Sequence, residues 1–433
     1  HDYNVGYDFN HESEATRNMR NIIFSYWLQE FNVDGYRFDL SKGYTQTNTL
    51  GDVGLWGQYD ATRIAIWKDI ADVLYTVEED AILILEHFAV NTEEEELSDY
   101  GFLLWGNSNY NYAQGTMGYT GSDINWMSYV ARGWSDPHVM GYMESHDEER
   151  LMYKNISFGN SGNPDYNVKY LPVALSRMEL AGAFFFTIPG PKMIWQFGEL
   201  GYDISIDYGC RVCNKPVLWN YYDIASRLRI NQVWSELIKL KTTYPAFSST
   251  SFILNVGGSG KRINLNNDEM NVTVIGNFDV YNASVNPNFQ HTGFWYEYFS
   301  GDTINVSNIS QTINLLPGEY RLYTDVKLNT PDIIISIEEL ASAMQNELLV
   351  SPNPSGNLFN LSADLATSGE VAISIYNLKG ELVFEDAVIS NAGAFNYTWS
   401  GNTTDGSAIP TGTYLCKMQT SAGVYLAKLM KVQ

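Results

Sequence analysis

Short apolar runs alternate with amphipathic helical patterns along the first half of this sequence. Apolar residues recur at helical spacing over residues 13–30, and another helical pattern precedes the AILILE run at 81–86. Further strand candidates are GFLLWG at 101–106, HVMGYMES at 138–145 and KMIWQF at 192–197. Because neighbouring parallel strands need a crossover between them, usually a helix, this alternation predicts a parallel α/β sheet.

The sequence changes character after about Pro245. Short alternating segments separated by Gly, Asn and Ser, such as NVTVIGNFDV at 271–280, are typical of an antiparallel β-sandwich. A second β-rich unit follows, with a predicted hairpin at 371–385. We therefore divide the chain into an α/β domain, a β-sandwich, a linker and a second β-sandwich, at residues 1–247, 248–326, 327–345 and 346–433.

Composition narrows the classes of function. The chain has 433 residues, 45% of them hydrophobic, which indicates a globular protein. Its net charge of -24 argues against a nucleic-acid partner, because phosphate backbones attract basic surfaces. We predict no membrane span, since no apolar stretch reaches the ~18 residues needed. The CRVC pair, Cys210 and Cys213, and the distant Cys416 do not make a disulfide framework, so the pair is either incidental or locally bridged.

Three acidic residues stand at or near the ends of apolar runs: Asp39 in VDGYRFD, Glu86 in AILILEH and Asp147 in MGYMESHD. Side chains at the carboxyl ends of parallel strands gather on one face of a barrel, where catalytic groups lie. Hydrolysis of a glycosidic bond needs two carboxyl groups, one that protonates the leaving oxygen and one that attacks the anomeric carbon. The apolar residues before Glu86 are expected to raise its pKa, which suits a general acid.

Each of these residues also has a purely structural explanation. Asp39 could form only a strand-end ion pair, Glu86 could cap the following helix, and Asp147 could belong to a hydrogen-bonded turn. Trp105 could stack against a sugar or pack in the core. His87 is expected to be structural.

The motif GYRFDLSK resembles the second conserved region of the α-amylase superfamily of glycoside hydrolases, which follows the pattern Gly-x-Arg-x-Asp-x-x-Lys. The resemblance implies that Asp39 is the nucleophile and that Arg37 and Lys42 contact the substrate. Arg37 lies two residues before Asp39, so both side chains should point to the same side of a strand.

Two further motifs occur in the order expected for that superfamily. ILILE is similar to its third region and implies that Glu86 is the acid/base, while His146-Asp147 matches the end of its fourth region. Asp147 and His146 would then form hydrogen bonds with sugar hydroxyls, and Trp105 would be a further substrate contact. The resemblance covers roughly residues 1–325 and implies a retaining hydrolase of α-1,4 bonds in starch-like glucans, acting through a covalent glycosyl-enzyme.

The chain departs from the family pattern in two places. Gly43 stands where many members have His after the region-two Lys, and the family's first conserved region has no match. We therefore expect a (β/α)8 TIM barrel that lacks its first strands, an N-terminally truncated fragment that is itself inactive or unstable, with the full-length parent as the enzyme. No cofactor is required for this chemistry, and the resemblance allows a structural Ca²⁺ near the second conserved region, most of whose oxygen ligands would come from the missing strands and the loop before this chain.

The final unit resembles the C-terminal sorting domain of proteins exported by the type IX secretion system. The resemblance rests on SPNPSGNLFNL, on the hairpin at 371–385, on WSGNTTDGSAIPTGTYLCKM and on the closing AKLMKVQ. It implies a secreted or cell-surface protein with the type IX machinery as a partner. A small carbohydrate-binding sandwich is the alternative.

Two other functions stay open beside α-glucan hydrolysis. The SHDE segment also resembles the fourth region of branching enzymes, so an α-glucan branching enzyme or transglycosylase is the nearest rival. The other is a glucan-binding surface protein that kept the fold and lost catalysis. The expected partner in all three cases is an α-glucan polysaccharide or oligosaccharide.

Overall fold

The computed structural model describes residues 7, 9–331, 333, 348–365, 367–377, 382–420 and 423–432. The chain forms two compact units, His1–Ile334 and Ile335–Gln433. Most of the predicted linker at 327–345 lies outside the described residues. The predicted domain boundaries remain predictions.

The first unit contains a five-stranded parallel sheet in the order β1-β2-β3-β4-β5. Helices follow the strands along the chain, as the alternation of patterns predicted. The strands are β1 (Gly35–Phe38), β2 (Ile82–Leu85), β3 (Leu103–Asn107), β4 (Val139–Tyr142) and β5 (Lys192–Met193). The helices are α1 (Glu14–Phe31), α2 (Val53–Trp56), α3 (Ala61–Val77), α4 (Asn91–Asp99), α5 (Asn109–Thr116), α6 (Tyr129–Arg132), α7 (Leu151–Phe158), α8 (Leu171–Thr187) and α9 (Ala225–Thr243). This sheet is a half-barrel within the part of the chain that the structure describes.

Gly35, the first residue of β1, lies directly against the backbone of β2. A Cβ atom on Gly35 would lie 1.9 Å from the carbonyl oxygen of Ile82 on the neighbouring strand, so only glycine fits. Phe38 pairs in register with Leu85, and both side chains are buried. The residues that follow these two strands therefore leave the sheet side by side.

An antiparallel sheet completes the first unit and shares a core with the α/β part. Its strand order is β11-β10-β13-β8-β7-β6, with β12 and β9 as a separate pair. The strands are β6 (Phe252–Asn255), β7 (Gly260–Leu265), β8 (Val272–Asn277), β9 (Ala283–Val285), β10 (Gly293–Glu297), β11 (Thr303–Val306), β12 (Ile313–Leu315) and β13 (Tyr320–Thr324). Buried Arg177 on α8 joins the two parts, because its Nη2 donates to the carbonyls of Gly115 (2.7 Å) and Phe278 (2.6 Å).

The second unit consists of two antiparallel sheets, β14-β15-β18 and β17-β16-β19-β20. The predicted hairpin forms between β16 and β17, where Ile375 pairs with Phe384. Phe359, Ile373 and Trp399 belong to its buried core. The strands are β14 (Leu349–Ser351), β15 (Phe359–Leu365), β16 (Gly369–Asn377), β17 (Leu382–Ser390), β18 (Gly393–Trp399), β19 (Gly412–Thr420) and β20 (Gly423–Lys431).

Candidate active site

One guanidinium joins the two carboxylates predicted as catalytic. Arg37 on β1 donates from Nη1 to Oδ1 of Asp39 at 2.5 Å and from Nη2 to Oε2 of Glu86 at 2.9 Å. Asp39 directly follows β1 and Glu86 directly follows β2, so the parallel pairing of these strands brings the two carboxylates to one edge. The planar guanidinium presents its N–H donors in fixed directions, so one arginine can hold two carboxylates at once in a defined geometry.

The two carboxylates differ in their surroundings. The side chain of Asp39 is 65% exposed, whereas that of Glu86 is only 9% exposed. Burial raises the pKa of Glu86; the N–H of Leu40 and the charge of Arg37 act against that shift, while Asp39 adds to it by charge and by a hydrogen bond. One carboxyl group is therefore open to a reactant, and the other is suited to hold a proton.

The backbone at Leu40 is held in a strained conformation beside Glu86. Leu40 has φ 43° and ψ 44°, the left-handed region that a branched, bulky side chain rarely adopts. This conformation lets its N–H donate to Oε2 of Glu86 at 3.0 Å. Strain of this kind persists where surrounding contacts enforce it, and here the contact is with a predicted catalytic group.

The third predicted acid lies beyond the end of β4. Nε2 of His146 is 3.4 Å from Oδ2 of Asp147, and about half of each side chain is exposed. The ring centroids of His146 and Trp105 lie 6.1 Å apart, and the guanidinium carbon of Arg37 lies 4.2 Å from the same Trp105 centroid. A continuous series of contacts thus runs from Asp39 through Arg37, Trp105 and His146 to Asp147.

Trp105 and Lys42 occupy different positions relative to this series. Trp105 on β3 is only 5% exposed, and the Arg37 guanidinium lies over its ring. The contact of Trp105 with substrate therefore stays a prediction. Lys42 is not one of the groups that join the carboxylates. Its Nζ lies 4.6 Å above the Trp56 ring and 3.4 Å from the carbonyl oxygen of Phe88. Burial lowers the pKa of Lys42.

A buried polar network lies behind Glu86, and the sequence did not indicate it as a unit. Ser41, His87, Glu93 and Arg63 have side chains that are almost wholly inaccessible. Glu93 belongs to the run of four glutamates in the first part of α4. In the fold, its carboxylate pairs with Arg63 at 2.6 Å and contacts His87 at 2.7 Å. The signal available in the sequence was the run of acids beside apolar strand residues, but its partner lies on another helix.

The loop between β5 and α9 reaches back to the third acid. Cys210 and Cys213 form a disulfide in this loop, so the CRVC pair is locally bridged. Arg211, between these two cysteines, donates from Nη2 to the carbonyl oxygen of Asp147. From the same loop, Trp195 packs with its ring centroid 5.8 Å from the ring centroid of His146. Neither contact could be predicted from local sequence pattern.

The described residues also bear on a metal site and on a membrane span. Within the ranges that the structure describes, no group of three or more His, Cys, Asp or Glu side chains is arranged to hold a metal ion. The structural Ca²⁺ therefore stays a prediction. The same part of the chain contains no helix with the length and apolar character of a membrane span.

Comparison with known proteins places these features in context. The chain is 23% identical over 241 residues to the 1,4-alpha-glucan branching enzymes GlgB of Bacillus cereus (strain AH187) and Bacillus anthracis (strain CDC 684 / NRRL 3495). That alignment takes in 52% of this chain, and the chain spans about a third (34%) of the length of these relatives. A family model described as FlgD Ig-like domain matches residues 356–423. The match names an Ig-like domain and not a sorting domain, so type IX export and a secreted or cell-surface location remain predictions.

Solved structures agree with the fold of the first unit. The alpha-amylase of Geobacillus thermoleovorans, complexed with acarbose, superposes with a TM-score of 0.53 at 14% identity, over 73% of this chain and 65% of the other. The Anoxybacillus alpha-amylase gives a TM-score of 0.53 at 14% identity, over 76% and 66%. AmyP in complex with maltose gives 0.52 at 13% identity, over 73% and 68%. These neighbours are α-amylase superfamily glycoside hydrolases, and the likeness shows that the chain has an amylase-like fold.

Proposed function

We propose that this chain carries the catalytic carboxylates of a retaining glycosidase that hydrolyses α-1,4-glucosidic bonds in starch-like glucans. The observation that carries the proposal is the single Arg37 guanidinium, which binds one exposed and one buried carboxylate at neighbouring strand ends. Retaining glycosidases place their two carboxyl groups only ~5–5.5 Å apart, because one of them attacks the sugar directly. Two carboxylates that share one guanidinium fit that closer spacing better than the wider spacing of inverting enzymes.

In the first step, the exposed Asp39 carboxylate attacks the anomeric carbon of a glucosyl residue. The bond between that carbon and the glycosidic oxygen breaks, and the leaving oxygen takes the proton of Glu86. The buried setting of Glu86 favours the protonated form that this step requires. The products are a covalent ester between the sugar and Asp39, a free glucan end and an ionised Glu86.

In the second step, Glu86 acts as a base. It removes a proton from an incoming hydroxyl, whose oxygen attacks the same anomeric carbon and releases Asp39 with retained configuration. Asp147, half-exposed beside His146, would hold sugar hydroxyls and bind them more strongly as positive charge develops on the ring. Arg37 would neutralise Asp39 as it leaves.

The identity of the incoming hydroxyl separates hydrolysis from transfer. Water gives hydrolysis, whereas a glucan hydroxyl gives a transglycosylase or branching enzyme. The second candidate is favoured by one observation, since the curated relatives are branching enzymes. Incubation of the full-length protein with amylose decides between them. A rise in reducing ends supports hydrolysis, and new α-1,6 linkages without that rise support branching.

The nucleophile is tested by Asp39→Asn in the full-length protein. We expect turnover of amylose to fall by about a thousandfold or more, which corresponds to ~4 kcal/mol of transition-state stabilisation. Asp80→Asn is the matched control, because Asp80 is exposed in the turn before β2. Unchanged turnover in Asp39→Asn would refute the assignment. A protein that binds glucan without any turnover, in both wild type and variants, would instead support the non-catalytic binding role.

A further inference from the structure

The network behind Glu86 has an unusual hydrogen-bond arrangement at Ser41. The Ser41 hydroxyl oxygen lies 2.9 Å from the main-chain carbonyl oxygen of Glu86 and 2.7 Å from Nδ1 of His87. Nε2 of that same imidazole lies 2.7 Å from Oε1 of Glu93. Ser41 and Glu93 are fully buried and His87 is 1% exposed, so no solvent intervenes. The chain of contacts therefore runs from Glu86 through Ser41 and His87 to Glu93.

The donors around Glu93 determine which nitrogen of His87 carries a hydrogen. Arg63 donates to both oxygens of Glu93, from Nε at 2.6 Å and from Nη2 at 2.8 Å, and the N–H of Asp60 adds a third bond at 2.8 Å. A carboxylate with these donors is ionised and accepts hydrogen bonds only. The contact with Nε2 of His87 must then be an N–H donated to Glu93. In neutral His87 the other nitrogen, Nδ1, carries no hydrogen and can only accept.

Ser41 has one hydroxyl hydrogen and two neighbours that can accept it. When His87 is neutral, Nδ1 accepts that hydrogen. The hydroxyl oxygen of Ser41 and the carbonyl oxygen of Glu86 then lie 2.9 Å apart with no hydrogen between them. When His87 is protonated, Nδ1 donates to Ser41, whose hydroxyl is free to donate to the carbonyl of Glu86. The proton on His87 thus decides whether the Ser41 hydroxyl donates a hydrogen bond to the main chain of the residue that carries the acid/base carboxyl.

We propose that His87, acting through Ser41, is a positioning residue that couples the binding of one buried proton to the placement of Glu86. The carboxyl group of Glu86 itself is not touched by this relay. The relay contacts the main-chain carbonyl of Glu86, which also accepts a hydrogen bond from the N–H of Ser41 at 3.0 Å. Movement of this carbonyl changes where the side chain of Glu86 meets Arg37 and Leu40. The inference rests on the proposed function for its effect on catalysis.

Charged groups on three elements face His87. Glu93 on α4 favours the protonated ring, whereas Arg63 on α3 and Lys42, in the turn after β1, disfavour it. Burial is the largest influence and lowers the pKa of His87. The neutral form therefore prevails at neutral pH, and acidification tightens the contact between Ser41 and Glu86.

The decisive variant is Ser41→Ala. It removes the hydroxyl and keeps a small side chain at this buried position, so the fold should be preserved. We expect kcat on amylose to fall about five- to tenfold at acidic pH, with KM nearly unchanged, as for the loss of one hydrogen bond. The pH profile should also lose the ionisation that belongs to His87. Ser41→Thr should restore both, because it keeps the hydroxyl. Ser128→Ala is the control, since Ser128 is also fully buried and its hydroxyl has no hydrogen-bond partner in the described residues.

A measurement without turnover separates this inference from the proposed function. In isotope-labelled protein, the nitrogen shifts of His87 should show the hydrogen on Nε2 at neutral pH. The carbonyl carbon shift of Glu86 should follow the titration of His87 in wild type and not in Ser41→Ala. A hydrogen on Nδ1 in the neutral ring, or a Glu86 shift that ignores Ser41, would overturn the relay. If these shifts behave as expected and wild type shows no turnover, the relay stands and the proposed function fails.

Discussion

The buried ion pair between α3 and α4 gives the sharpest test of how this fold is held. Arg63 and Glu93 have side chains that are 1% and 0% exposed. Besides its two bonds to Glu93, Arg63 donates to the carbonyls of Lys42 (3.0 Å), Trp56 (3.1 Å) and Gln58 (2.9 Å). Arg63→Met keeps much of the apolar bulk but leaves a buried carboxylate without its cation and removes the Arg63 hydrogen bond from three carbonyls.

We expect Arg63→Met to lower the free energy of unfolding by about 3–5 kcal/mol, the usual cost of removing one partner from a buried pair. Lys68→Met is the matched control, because Lys68 and Glu96 join the same two helices at 2.7 Å but are 31% and 38% exposed. Exposed pairs contribute only ~0–1 kcal/mol, since water solvates both charges. Urea denaturation followed by tryptophan fluorescence measures both variants. Equal losses in the two variants would refute the reasoning that burial sets the cost.

The effect of pH gives a second check on the same pair. Burial alone would raise the pKa of Glu93, but hydrogen bonds from His87 and Arg63 outweigh it, so the pKa is lowered. A carboxyl group with a lowered pKa in the folded state stabilises the fold above its unfolded pKa of ~4.3, and this contribution is lost as pH falls through the folded pKa. The difference between wild type and Arg63→Met should therefore shrink below about pH 4.

Two predictions concern the exposed side of the site. Arg37→Gln removes the cation that opposes the raised pKa of Glu86, so the basic limb of the kcat profile should move to higher pH. The same change misplaces Asp39, so kcat should fall about a hundredfold. A basic limb at the wild-type pH would contradict this. Arg211→Ala removes the hydrogen bond to the main chain of Asp147, so KM for maltooligosaccharides should rise about two- to tenfold with a smaller change in kcat. An unchanged KM would show that this loop does not position Asp147.

Much of the α/β part could be predicted because its signals are local. The strands before Asp39 and Glu86 were expected from short apolar runs, and β1 and β2 end at the residues just before these acids. The contact of Arg37 with Asp39 follows from the alternation of side chains along one strand. A raised pKa for Glu86 was expected from the apolar residues before it, and burial is its main cause.

The network behind Glu86 could not be predicted, because its members come from four separate segments. Glu93 belongs to a run of glutamates, and such runs at a helix start usually face solvent and favour the helix dipole. Here the side chain of Glu93 points into the interior, because it pairs with Arg63 on the neighbouring helix. His87 was expected to be structural, and only the distances to Ser41 and Glu93 reveal that it connects to the main chain of Glu86.

The order of residues along the chain was enough to determine which side chains could carry the chemistry and at which strand ends they stand, since side-chain alternation and apolar periodicity act over a few residues. The tertiary structure decided what each of them experiences. Asp39 and Glu86 have the same functional group, and only the packing of β1, β2 and β3 leaves the first 65% exposed and the second 9% exposed. Desolvation and the sharing of Arg37 depend on neighbours far away in sequence, so the difference in proton affinity between the two groups exists only in the folded chain.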